Sequence, residues 1–374
     1  MILFANRWGS NRINSWSGTP NGILEALNNK LGTDKVKELN LGNNKIINIF
    51  ENLGKGLLKL LRIDGCDICA VILDSIDLGE KTKKYKNQPI IVFKELVGKN
   101  VEKSYLFIDC SVDYAFRCHE SGIFFEKYVP FAKKRKYSML SKRNELAKGY
   151  YENCQGIFTM GEWLRKELIE NCGLPENKVH AVGGGCNICV NKINTTAKRG
   201  NKFLFVGKDF ERKGGVLVLN AFKYLNSIHK GQYELYIAGP EEWPLNSPVP
   251  ENVRFLGMKT QEELSNYYNI CDVFVMPSYF EAYGMVFLEA LIYGLPCIGR
   301  NCCEMPEFIN PEENGDLIEQ DNYIELAEKM FKVIKNKEMI QRVDCKRKEY
   351  IVKYSWEAVA DRICKIVEDD GYKI

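Results

Sequence analysis

The sequence has no apolar run approaching the roughly 20 residues that span a bilayer. Its opening stretch, MILFANRWGSNR, is too short and too polar to read as a secretory leader. A cytoplasmic location is therefore expected. Low-complexity or collagen-like bias is also missing, and with 45% hydrophobic and 27% charged residues the composition is that of a globular chain. Net charge is only +3, which gives no global reason to expect nucleic acid as a partner. Histidine is scarce, with three in the chain, and there is no Asp-x-Asp triplet. Cysteine is not scarce: there are 14, spread through strand-like and helix-like stretches such as CAVILD and ICDVFVMPS, so mostly reduced, buried thiols are expected in place of a disulfide frame. The CxxC pairs Cys66/Cys69 and Cys186/Cys189 are too far apart in sequence for common zinc spacing, and Cys69 opens an apolar run suited to a core.

At 374 residues the chain is long for one core and suits two domains. Short apolar runs alternate with helical patterns, the signature of parallel sheets with crossover helices, so the class is α/β. In the first half strands are expected near Ile2–Ala5, Ala70–Leu73, Ile90–Phe93, Tyr105–Ile108, Gly156–Met160 and Val179–Val182. The segment SWSGTPNGILEALNNKLG reads as a loop feeding a helix, with Thr19 as cap, Pro20 first in the helix and Gly32 just past its end. The polar stretch CVNKINTTAKRGNK, Cys189 to Lys202, is the expected boundary. Beyond it FLFVG, YELYIAG, VRFLG, DVFVMPS and PCIG read as strands, and GVLVLNAFKYL, QEELSNYYNIC and VFLEALIYG as helices. The expectation is two doubly wound, Rossmann-like domains facing across a cleft, residues 1–190 with return of a C-terminal helix 355–374, and residues 200–354. Ligands in open α/β sheets bind beyond the carboxyl ends of the strands.

The most informative segment is MPSYFEAYGMVFLEALIYGLPCIG. Glu281 follows a strand in a loop, whereas Glu289 lies within an amphipathic helix that starts near Gly284–Val286. The N–H groups of Gly284, Met285 and Val286 would face a helix start, where unpaired donors and partial positive charge suit a phosphate. The plainer reading is that Glu281 caps that helix and Glu289 lies on a wet face.

Two glutamates separated by seven residues in EAYGMVFLE, preceded by PS and followed by EALIYGLP, resemble the signature of glycosyltransferase family 4, retaining enzymes of GT-B fold. FLFVGKDFERKGG is similar to that family's opening strand with its two basic residues, SWSGTPNGILEAL to its Gly-containing N-terminal loop, and YSWEAVADRICKIVED to its closing helix. The resemblance implies that Lys208 and Lys213 hold a donor diphosphate, although the family usually has Arg where Lys208 stands. It further implies that Glu289 accepts hydrogen bonds from the ribose hydroxyls, that Glu281 meets the donor sugar, that the nucleobase lies near Gly257, Met258 and Lys259, and that Gly18 lets the backbone approach the diphosphate. Arg212 would point elsewhere if Lys213 faces the ligand. Many family members carry a His after the strand that here reads SYLFID. Asp109 stands there instead, and His119 is ten residues on.

The implied reaction is transfer of a hexosyl group from a nucleotide-diphosphate sugar, with retention, to a glycan or lipid-linked acceptor, in cell-surface polysaccharide or glycoconjugate synthesis. No cofactor and no metal are expected, because lysines and a helix start would do the work that Mg²⁺ does beside an Asp-x-Asp triplet. Two other classes share the fold: a catalytically silent nucleotide-sugar-binding protein, and a GT-B-like nucleotide-sugar epimerase. The basic run from Lys127 to Lys148, with Lys133, Lys134, Arg135 and Lys136 at its centre, reads either as a solvated face or as peripheral contact with anionic membrane.

Overall fold

The computed structural model describes residues 1–8, 12, 15–42, 49, 52–53, 66–85, 87–96, 102–120, 137–196 and 200–374. The side chain of Cys66 and the basic cluster Lys133, Lys134, Arg135 and Lys136 lie outside these residues. The chain forms two compact units, Met1–Gly185 with Ser355–Ile374, and Cys186–Tyr354.

The first unit carries the strands β1 (Ile2–Asn6), β2 (Val36–Asn40), β3 (Ile90–Val92), β4 (Ser104–Ile108), β5 (Gly156–Thr159) and β6 (Val179–Ala181), all parallel in the order β2-β1-β3-β4-β5-β6. β1 and β4 are buried along their whole length, as expected for continuous apolar runs covered on both faces. The expected strand at Ala70–Leu73 is not a strand: it is part of the helix Cys66–Thr82. A four-residue apolar run cannot distinguish the two by periodicity. The outcome is explained by Asp74 and Asp77, three residues apart on one helical face and both buried. Asp74 accepts from Arg7 Nε at 3.0 Å, just past β1, and from Lys94 Nζ at 3.2 Å, just past β3; Asp77 accepts from the Gly42 N–H at 2.9 Å, just past β2. One helix thus ties down the carboxyl ends of three strands. β2 itself, VKELN, was not expected, because only Val36 and Leu39 are buried and its other side chains are polar.

The helix Thr19–Leu31 also corrects the expected cap. Its N-cap is Gly18, at φ 82° and without a side-chain bond, so Thr19 is already helical and Pro20 is the second helical residue; Gly32 at φ 97° closes the other end. The closing helix Trp356–Asp369 packs on this helix, and Trp356 lies where a Cβ on Gly22 or Gly185 would stand, 2.4 and 2.2 Å from its ring atoms. Arg362 Nε donates to the Val182 carbonyl at 2.6 Å and Tyr105 donates to Asp370 at 2.5 Å, which fastens the returning segment to the first unit.

The second unit carries β7 (Lys202–Val206), β8 (Glu234–Ala238), β9 (Val253–Gly257), β10 (Val273–Val275), β11 (Cys297–Arg300) and β12 (Gly315–Ile318), parallel in the order β12-β11-β10-β7-β8-β9. The helices Gly215–Ile228, Gln261–Ile270 and Met285–Ile292 fall on the three segments read as helical. β12 was missed, since GDLI is too short to announce itself. Each sheet has a point where strand order reverses, β1/β3 in the first and β7/β10 in the second, and a doubly wound sheet opens a crevice at the carboxyl ends of such a pair.

Candidate functional site

At the carboxyl end of β7 the chain turns through Gly207, Lys208 and Asp209 to Arg212, Lys213 and Gly214. Gly214 has φ 78° and starts the helix Gly215–Ile228; a Cβ there would lie 2.5 Å from the Pro277 carbonyl oxygen, so only glycine allows the loop after β10 this close. The two loops are stitched together, since the Tyr279 N–H donates to the Arg212 carbonyl at 2.9 Å and Ser278 Oγ to the same oxygen at 3.2 Å. The residues after the switch-point strands are thereby one surface.

On it, Glu281 is 5% exposed and receives two cations. Lys213 Nζ is ion-paired with Glu281 Oε1, and Arg212 Nη1 donates to the same oxygen at 3.2 Å and to the Phe280 carbonyl at 2.5 Å. The Lys213 stem lies over Gly207, whose missing side chain makes room for it. Burial pulls the Lys213 ammonium below its ordinary value, against the opposing pull of Glu281. Arg212 therefore does not point away from Lys213, as expected from the sequence; a turn between Asp209 and Gly214, with the Lys213 N–H bonded to the Asp209 carbonyl, brings both to one carboxylate. Lys208 is exposed and, among the described residues, paired with no carboxylate. Glu281 does not cap the helix Met285–Ile292, whose N-cap is Gly284 at φ 93° with no side-chain bond. The N–H groups of Met285 and Val286 open that helix, where intrahelical acceptors are lacking.

Glu289 is 7% exposed, not on a wet face. Its two oxygens accept from Gln261 Nε2 at 2.9 Å and Tyr268 OH at 3.0 Å. Burial pushes the carboxyl up to about 7, and these two neutral donors only partly offset it. Tyr268 is in turn stacked on Tyr293 with centroids 5.2 Å apart. Gln261 and Tyr268 were not singled out from the sequence; their only signal is a place on the capped helix Gln261–Ile270, which starts beside the Gly257–Lys259 turn. Gly257 has φ 69° and ends β9, Met258 is exposed, and the Gly239 N–H donates to the Gly257 carbonyl at 3.0 Å.

In the first unit the loop Ser15–Gly18 and the end of β4 meet. Trp16 (φ 48°), Ser17 (φ 54°) and Gly18 (φ 82°) are three consecutive left-handed residues, which swing the Trp16 indole against Phe93 and Phe107, at 5.8 and 6.1 Å between centroids. The indole donates to the Asp109 carboxylate, immediately after β4. Burial raises that carboxyl to about 6, against the hydrogen bonds from Trp16 and two backbone N–H groups. Gly18 and Asp109, named separately from the sequence, thus belong to one cluster at the carboxyl edge, and Trp16 is the residue that joins them. His119 lies elsewhere, on the helix Val112–Glu120, stacked on Tyr137 at 5.9 Å. Of the basic run, Arg143 is buried against Glu95 at 2.6 Å, and the exposed Lys148 pairs with the buried Asp113 at 2.8 Å.

Among the described residues no group of three His, Cys, Asp or Glu is arranged to hold a metal ion, and Cys186 and Cys189 are free thiols. No described helix is long and apolar enough to cross a membrane. About half of the described cysteines are buried, while Cys69 is only half-buried and Cys189 and Cys345 are exposed.

Residues 190–351 match the family model described as glycosyl transferases group 1. An uncharacterized glycosyltransferase of Methanocaldococcus jannaschii is 26% identical over 219 residues, covering 58% of this chain and 60% of that protein. The D-inositol 3-phosphate glycosyltransferase of Corynebacterium jeikeium is 27% identical over 178 residues, 44% of this chain and 42% of that one. The chain therefore spans less than two thirds of the length of these curated relatives. WaaG, a glycosyltransferase involved in lipopolysaccharide biosynthesis, superposes with a TM-score of 0.63 at 14% identity, covering 98% of this chain and 99% of that one. The fold is that of the GT-B glycosyltransferases, with two Rossmann-like domains, and the second unit is similar to the glycosyl transferases group 1 family.

Proposed function

We propose that the chain is a retaining glycosyltransferase of the family 4 kind, taking a hexosyl group from a nucleotide-diphosphate sugar. The observation that carries this reading is the convergence of Lys213 and Arg212 on Glu281 at the β7/β10 switch point, with the buried Glu289 eight residues further on. Cations at that edge beside the start of the helix Met285–Ile292 suit a diphosphate. Lys208, Lys213, Arg212 and the Gly284, Met285 and Val286 N–H groups would neutralise charge that grows on the leaving diphosphate, a contribution of about 10²–10³ in rate for a single well-placed donor. Glu281 would then turn from its cations to the sugar hydroxyls. Glu289 would exchange Gln261 and Tyr268 for ribose hydroxyls, with the base against the Gly257–Lys259 turn. By the same resemblance Gly18 would let the backbone approach the diphosphate, and Asp109 would stand beside the developing cationic centre or the acceptor hydroxyl.

With these cations in place the reaction would need neither metal nor cofactor. The acceptor would be a glycan or a lipid-linked glycan, and the setting cell-surface polysaccharide or glycoconjugate synthesis on the cytoplasmic side, with Lys133, Lys134, Arg135 and Lys136 of the basic run touching anionic lipid. Neither a silent sensor nor an epimerase finds support among the relatives named above. The test is a screen of UDP-, GDP- and ADP-sugars by thermal shift, because a donor that binds only the folded chain raises Tm. One nucleotide class should stand out, and its sugar should be released on turnover. Uniform failure of all three classes would refute the reading.

A further inference from the structure

A second chemistry lies at the same sheet edge. β11 ends at Arg300, and the next turn carries two adjacent cysteines, Cys302 and Cys303, both half-buried. Cys303 is left-handed at φ 51°, an uncommon state for a residue with a side chain. This backbone turn lets the two thiols hydrogen-bond to each other. Cys302 Sγ also donates to the carbonyls of Ser278, at 3.9 Å, and Tyr279, at 3.8 Å, in the loop that leads to Glu281. The Arg300 guanidinium lies over the Tyr279 ring at 4.5 Å, so one short stretch of β11 and its turn holds that loop by ring and by carbonyl.

We propose that Cys302 and Cys303 form a reversible dithiol–disulfide modification site, closed by a low-molecular-weight disulfide, whose oxidation loosens the loop bearing Glu281. The Cys302 thiolate attacks one sulfur of the small disulfide, which forms a mixed disulfide and expels one small thiolate. The Cys303 thiolate then attacks the Cys302 sulfur, expelling the second, so two protein thiols are oxidised and one disulfide is reduced to two thiols. The Cys303 hydrogen bond and Arg300 hold the Cys302 thiol below its ordinary value, against the cost of burial, which favours the attacking form. Closure removes the S–H that Ser278 and Tyr279 share. Neighbouring Cα atoms are about 3.8 Å apart, short of the roughly 4.4–6.8 Å of ordinary disulfides, so the bond is strained and readily reduced, as suits a reversible site.

The consequence for donor binding rests on the function proposed above, whereas the disulfide and the loop can be followed without any nucleotide. The full chain is treated with excess glutathione disulfide, mapped by peptide mass spectrometry and followed by hydrogen exchange. The expected result is loss of two hydrogens from the peptide carrying Cys302 and Cys303, restored by reductant, with several-fold faster exchange across residues 278–284. The isolated exposed thiols Cys189 and Cys345 should carry glutathione adducts instead. Cys302→Ser and Cys303→Ser should each abolish both the closure and the faster exchange. Only glutathione adducts at 302 and 303, no reaction there, or closure with unchanged exchange at 278–284 would each overturn the proposal.

Discussion

Glu281 and Glu289 are both buried carboxylates on one loop-and-helix segment, yet one is held by two cations and the other by an amide and a phenol. They should therefore fail differently. Glu289→Gln should raise the donor KM and weaken nucleoside diphosphate binding, because ribose contacts are similar in ground and transition states. Glu281→Gln should lower kcat more and leave binding of the sugar-free nucleotide near normal. Calorimetry with the nucleoside diphosphate and steady-state kinetics distinguish them, and the reverse pattern would place the donor the wrong way round. The carboxyl of Glu289, raised to about 7, adds a pH dependence. On the proposed donor pose two ribose hydroxyls would need the ionised form as acceptor, so nucleotide affinity should fall as pH drops below about 7. Stability without ligand should run the other way: a carboxyl whose folded value is raised contributes stability below its unfolded value near 4.5, and that contribution is lost as pH rises through about 7. Glu289→Gln should accordingly be about 1–3 kcal/mol more stable than the parent at pH 8 and show little gain at pH 4, measured by urea unfolding.

At the scale of elements, two glycines make opposite predictions. Gly22 faces the Trp356 ring at 2.4 Å from where its Cβ would be, so Gly22→Ala should cost about 1–3 kcal/mol by pushing the closing helix away. Gly149, in the helix Tyr137–Asn153, has nothing within 4 Å of the same position, and Gly149→Ala should gain about 0.5–1 kcal/mol. Thermal unfolding of the pair checks both signs. The strands of the second unit were legible because FLFVG, YELYIAG and DVFVMPS are apolar, short and bounded by turn residues. Residues 70–73 misled because Asp74 and Asp77, which decide for helix, act through Arg7, Lys94 and Gly42, partners far away in sequence. The candidate site was legible where residue type carries the chemistry, as with Lys213, Glu281 and Glu289. Arg212, Trp16, Gln261 and Tyr268 were not, because a turn, a run of left-handed residues or a distant helix brings them to their partners.

For the whole molecule, the proposed chemistry has cations and a helix start at the second sheet's carboxyl edge do the work of a metal on a nucleotide-diphosphate sugar. Lys213→Ala should then remove most turnover while the fold persists, since it leaves Glu281 with Arg212 as a counter-ion. The most direct test is to incubate the chain, in EDTA, with UDP-, GDP- and ADP-sugars and an acceptor extract, and to follow release of the nucleoside diphosphate for the parent and Lys213→Ala. The account predicts that one nucleotide class is turned over by the parent in EDTA and that the variant loses this by about 10²-fold or more. Turnover that EDTA abolishes and Mg²⁺ or Mn²⁺ restores, or that Lys213→Ala leaves unchanged, would contradict it.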